Sequence, residues 1–221
     1  MRILQVRFNG WMSVFFAFIL VLSSFTFFPG QAAAKTRGEA VFGLCIQCHG
    51  SEGQGDHLFG APRIAGLPQW YIAAQLEKFR SGARGKHPDD DAGNRMRPMA
   101  RTLDESDVGI VAAYVANLKL SSQVKPEGLT LVGGNAEKGK ALFGVCLACH
   151  GATADGNEAV HAPSLKISND WYLVHQLANF KNKVRAGDPA KDPIGSTMAP
   201  NAASLDEQAM KDVVTYIQSL K

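Results

Sequence analysis

Cysteine is scarce in this chain: there are four among 221 residues, all inside two five-residue stretches. None follows the apolar N-terminal run closely enough to carry a lipid there. A basic run is also missing, which removes the electrostatic footprint of a nucleic-acid-binding protein. With 23 basic and 20 acidic residues the formal net charge is only +3, and Arg2 and Arg7 supply two of those units. No stretch alternates apolar and polar residues as a half-buried strand does. What remains is helical periodicity, and the expected class is all-α.

What is present is a repeat. Cys45-Ile46-Gln47-Cys48-His49 returns 101 residues later as Cys146-Leu147-Ala148-Cys149-His150. Two thiols three residues apart on a helical turn can each form a thioether with a haem vinyl group, and the adjoining histidine then serves as an axial iron ligand. The paired cysteines of a zinc ribbon usually stand about 15–20 residues apart and need no histidine after each second cysteine. A redox dithiol or disulfide explains neither histidine nor the duplication. The expected cofactors are therefore two covalently bound haem c groups, held by Cys45, Cys48, Cys146 and Cys149, with His49 and His150 on the irons. Haem attachment leaves no cysteine for disulfide chemistry, which suits an oxidising compartment.

The similarity extends along both halves. Phe42-Gly43, Gly55, Ala61-Pro62, Trp70-Tyr71, Gln75-Leu76, Phe79 and Arg84 match Phe143-Gly144, Gly156, Ala162-Pro163, Trp171-Tyr172, Gln176-Leu177, Phe180 and Arg185. After one inserted residue, Met96, Pro98, Leu103-Asp104-Glu105 and Tyr114 match Met198, Pro200, Leu205-Asp206-Glu207 and Tyr216. Residues 35–120 and 136–221 thus read as duplicated domains, joined by a connector over 121–135 that carries Pro126, Gly128, Gly133 and Gly134. Domains this small bury thin cores, so the apo-protein is expected to fold poorly. Residues 1–34 combine Arg2 and Arg7, an apolar run from Trp11 to Phe28, and the small residues Ala32-Ala33-Ala34. That pattern is an export signal cut after Ala34, and implies a periplasmic protein of a Gram-negative bacterium. The run is long for a signal, so an uncleaved membrane anchor is the alternative.

Three helices are expected in each half: Gly38–His49, Gln69–Ser81 and one starting at Asp104, then Ala136–His150, Asp170–Lys183 and one starting at Asp206. An iron with one histidine needs a sixth ligand to act as a low-spin electron carrier, and methionine raises its potential. Met198, in a Gly/Ser/Pro stretch read as a loop, is the candidate in the second half. In the first half the repeat register selects Met96, with Met99, opposite Asn201, as the alternative. Met210 falls in an apolar helical stripe and reads as core. His57, His87, His161 and His175 have no ligand-type residue opposite them and read as surface. Arg95, Arg97 and Arg101 surround Met96, with Asp89-Asp90-Asp91 upstream. They form either a solvated loop or a positive rim that docks an acidic partner.

Both pentads, Met96-Arg97-Pro98, Met198-Ala199-Pro200, the Trp-Tyr pairs and the terminal helices with Tyr114 and Tyr216 together resemble the cytochrome c4 group of di-haem, two-domain class I cytochromes c. The resemblance covers 35–221. It implies two tandem domains, each wrapped around one haem, and Pro62 and Pro163 carbonyls that accept hydrogen bonds from the axial imidazoles. It also makes Trp70, Tyr71, Gln75 and Arg84, with Trp171, Tyr172, Gln176 and Arg185, candidates for haem packing or propionate contact, core packing being the competing role. The implied function is one-electron transfer from a quinol-oxidising complex to a terminal oxidase or reductase, by a carrier that is soluble or loosely membrane-associated. The rival readings are a cytochrome subunit of a periplasmic dehydrogenase such as flavocytochrome c sulfide dehydrogenase and, less favoured, a di-haem peroxidase, which needs an open iron position.

Overall fold

The computed structural model describes residues 36–121 and 133–220. The expected export signal or anchor and most of the connector lie outside these residues.

In the first half, α1 (Arg37–Phe42) starts at Thr36, whose hydroxyl accepts from the Glu39 N–H at 3.2 Å. The expected helix through the haem pentad does not run unbroken. Leu44 and Cys45 donate to the carbonyls of Val41 and Phe42 three residues back, at 3.1 and 2.7 Å, and this tighter winding ends α1 before α2 (Ile46–His49) begins. The second half repeats the device: α6 (Ala136–Leu142) passes through a 3₁₀ turn at Phe143–Val145 into α7 (Leu147–His150). The interruption places each pentad's histidine at the end of a separate single-turn helix.

Next come α3 (Gln69–Ser81) in the first half and, in the second, α8 (Asp170–Lys181), which stops two residues short of the expected end. A further difference concerns the methionines. Met96 lies inside α4 (Asp91–Arg101), and Met198 opens α10 (Met198–Ala203), which follows the single turn α9 (Pro193–Ser196). Glycine, serine and proline made these stretches read as loops, but Asp90 and Asp192 cap them, their Oδ1 atoms accepting from Gly93 and Gly195 N–H at 3.0 and 2.8 Å. Pro200 sits in the first turn of α10, where a backbone donor has no helical partner to lose.

The last helices, α5 (Glu105–Ala116) and α11 (Glu207–Ser219), are capped by Asp104 and Asp206, as their acids predict. Each packs on the opening helix of its half, α5 on α1 and α11 on α6. Gly38 permits the first contact, because a Cβ there would stand 2.8 Å from that of Tyr114. The cores are Val41, Phe42, Val108, Val111 and Val115 in one half, and Phe143, Leu205, Met210, Val213 and Ile217 in the other. Met210 is therefore a core residue. No strand occurs among the described residues, only the isolated bridges Asp56–Ala61 and Asn157–Ala162.

Candidate haem sites

The bridge loops position the histidines. Gly55 and Gly156 adopt φ of 88° and 87°, and a Cβ at either would stand within 2.6 Å of the Pro62 or Pro163 carbonyl carbon. Their N–H groups donate to the carbonyls of His49 and His150 at 2.8 and 2.9 Å. The close approach brings Pro62 O to 2.7 Å from His49 Nδ1, and Pro163 O to 2.9 Å from His150 Nδ1. A carbonyl only accepts, so each Nδ1 carries the proton and each Nε2 keeps its lone pair. Burial lowers both imidazole pKa values, and the proline carbonyls oppose this only in part. Both rings are thus held neutral, the form that binds a metal.

The four thiols form no disulfide. Burial, reinforced by Cys48, pushes the Cys45 thiol up to about 11, and burial with Cys149 raises Cys146 in the same way. In the second half Cys146, Cys149, His150 and Met198 line one cavity of about 300 Å³, walled by apolar side chains such as Leu173, Val213 and Ile217. Trp70, Tyr71, Gln75 and Lys78 of the first half complete the lining. On α4 the two methionines separate: Met96 is half-buried, whereas Met99 is 43% exposed.

The eight polar and aromatic candidates all meet at the seam between the halves. Gln75 Oε1 accepts from Arg84 Nη1 at 2.9 Å and from Arg185 Nη2 at 3.0 Å. Gln176 Oε1 reciprocates, accepting from Arg185 Nη1 at 2.7 Å and Arg84 Nη2 at 3.0 Å. Tyr172 accepts from Arg84 and Tyr71 from Arg185, at 3.0 and 3.2 Å. Burial alone would raise the Tyr172 phenol, but Arg84 and Arg185 bring it below its usual value. The sequence offered these residues as haem-packing or propionate neighbours, with core packing as the competing role, and did not show that they join the halves. Trp70 and Trp171 stand edge-on to His161 and His57 across the same seam, with ring centroids 5.8 and 5.0 Å apart. Those two histidines are exposed, as expected for surface residues, yet each has an aromatic partner in the other half; His175 is exposed and His87 half-buried.

These residues fit haem. Each pentad offers two thiols and a neutral imidazole, and Met198 adds a soft sulfur to the cavity that His150 lines. Arg84 and Arg185 are buried with no carboxylate partner in an ion pair among the described residues, and Arg84 Nε and Trp171 Nε1 are buried without hydrogen-bond partners. Two adjacent buried cations and two orphaned donors suit the carboxylates that haem carries. When bound, haem supplies a reversible one-electron iron couple.

The cytochrome c family model matches residues 35–119 and again 136–221. The chain belongs to the cytochrome c family. A thiosulfate dehydrogenase electron acceptor from Thiomonas intermedia is 36% identical over 154 residues, which is 66% of either chain and so just under two thirds of that relative. A cytochrome c4 from Thiocapsa roseopersicina is 32% identical over 86% of this chain and 94% of its own length. A solved thiosulfate dehydrogenase from Marichromatium purpuratum superposes with a TM-score of 0.65 at 29% identity, over 83% of this chain but only 39% of that one. The protein is thus a di-haem cytochrome c of the cytochrome c4 kind, in a family of electron carriers, and binds two covalent haem c groups through its two pentads.

Proposed function

We infer that this cytochrome is a periplasmic one-electron carrier with both irons six-coordinate, by His49 and Met96 in the first half and by His150 and Met198 in the second. The observation that supports this most directly is that Met198 and His150 line the same cavity. An iron held by both has no position for oxygen, peroxide or substrate, so the protein itself breaks no bonds. In this reading it takes electrons from a quinol-oxidising complex and passes them to a terminal oxidase or reductase. Optical potentiometric titration of the mature holo-protein tests it. The expected result is two one-electron steps, a methionine-to-iron absorption band, and no change when carbon monoxide is added to the reduced form. Carbon monoxide binding at either haem overturns it.

A second reading has its own support in the similarity to a thiosulfate dehydrogenase electron acceptor and to a thiosulfate dehydrogenase structure. There the donor is a thiosulfate-oxidising dehydrogenase rather than a quinol-oxidising complex. Reduction of the holo-protein by each enzyme, compared at equal concentration, separates the two.

A further inference from the structure

The repeat is mismatched at a charged position on the seam. Its register sets Lys78 opposite Asn179 and Asp90 opposite Asp192. Lys78 Nζ, on α3 of the first half, lies 2.7 Å from Asp192 Oδ1 of the second, and only 3% of Asp192 is exposed. Asp192 also caps α9, which leads directly into Met198. Lys78, Gly195, Thr197 and Met198 all line the second cavity.

The reverse arrangement is unpaired. Asp90 is as buried as Asp192, at 2% exposure, and caps α4 ahead of Met96 through its Oδ1. Its Oδ2 is buried without a hydrogen-bond partner, and it has no ion pair among the described residues. In the repeat register the counterpart of Lys78 is the buried, neutral Asn179. One methionine-bearing segment is therefore held by a cation from the other half, and its duplicate is not.

We propose that Lys78 is a positioning residue of the second haem site, although it belongs to the first half, and that the Lys78/Asn179 mismatch makes the two sites electrostatically unequal. Through Asp192 it fixes the turn that presents Met198, and it neutralises a buried carboxylate next to that site. Beside the first site the Asp90 carboxylate has no lysine to pair with. A buried negative charge favours the oxidised, more positive iron, so the first haem has the lower potential. The proposal rests on the ligand reading of Met198 given above.

The test is optical potentiometry of the holo-protein in Lys78→Met, Asn179→Lys and the double variant, with Met198→Ala marking which potential and which share of the methionine band belong to the second haem. Lys78→Met is expected to lower the higher potential and weaken the band of the second haem, leaving the first unmoved. Asn179→Lys is expected to raise the lower potential by giving Asp90 a cation. It adds a contact rather than removing one, so it decides the matter even if Lys78→Met loads haem poorly. The double variant is expected to reverse the order. If Met198→Ala removes its share of the band while Asn179→Lys leaves both potentials in place, the mismatch has no electrostatic role and the proposal falls alone. If Met198→Ala keeps the full band, the ligand reading falls, and the proposal with it.

Discussion

Gly156 places its N–H 2.9 Å from the His150 carbonyl, and a Cβ on it would meet the backbone of Pro163, so the carbonyl that accepts from the His150 ring is held by a glycine at a position with no room for a side chain. Gly156→Ala is expected to destabilise the holo-protein by about 1–3 kcal/mol, because a side chain at positive φ is strained even before it meets the neighbouring backbone. Gly109→Ala is the control. That residue lies within α5 with nothing within 4 Å of an added Cβ, and the change should stabilise by about 0.5–1 kcal/mol. Thermal unfolding of both variants checks the opposite signs.

Met96→Ala and Met198→Ala should each remove about half of the methionine-to-iron band and lower one potential, since a soft sulfur favours ferrous iron. Met99→Ala should do neither, as this side chain is largely solvent-facing. An unchanged spectrum in Met96→Ala with a loss in Met99→Ala reverses the assignment on α4.

Gln75→Leu deprives both seam guanidiniums of an acceptor at once. Leaving buried charged donors short of a partner should cost about 1–3 kcal/mol in chemical denaturation. The exposed helix position Glu77, changed to leucine, provides a reference on the same helix.

Asp212 accepts from Asn135 N–H and Gln208 Nε2, both at 2.8 Å, tying the start of α6 to α11. The Asn135 amide, followed by Gln208, holds this carboxyl below the usual carboxylate range. Its contribution is therefore present above the ordinary carboxylate pKa and is lost as pH falls through the depressed one. Asp212→Asn should melt below the parent at neutral pH and converge with it in acid, which melting curves across that range will show.

Arg95 and Arg101 are exposed on α4, while Arg97 turns its Nε inward, so the positive rim read from the sequence reduces to two residues. Their counterparts in the repeat are Thr197 and Ala203, which carry no charge. Reversing Arg95 and Arg101 to glutamate should slow electron transfer to an acidic redox protein by roughly tenfold at low salt, with the difference vanishing at high salt. Rates unaffected by the reversal would leave the two arginines as solvated surface.

The cofactor was legible in the sequence because covalent attachment requires two thiols and an imidazole at fixed, adjacent positions, and duplication wrote the same five-residue pattern twice. The caps at Asp104 and Asp206 were legible for a similar reason: the bond from side chain to backbone spans three residues. The helices around Met96 and Met198 were not, since their glycine and proline content suggests a loop and only the buried caps Asp90 and Asp192 reverse it. The seam lay further out of reach. Arg84 and Gln176 are 92 residues apart, and nothing local to either names the other. The Lys78/Asn179 mismatch is a single substitution within the register, and only the contact between Lys78 and Asp192 gives it a meaning.

Because Trp70, Tyr71, Gln75 and Lys78 close a cavity whose anchoring cysteines lie in the other half, the repeated segment and the working unit are different lengths of chain. A second half produced alone would keep its thiols and histidine intact and still have a wall missing.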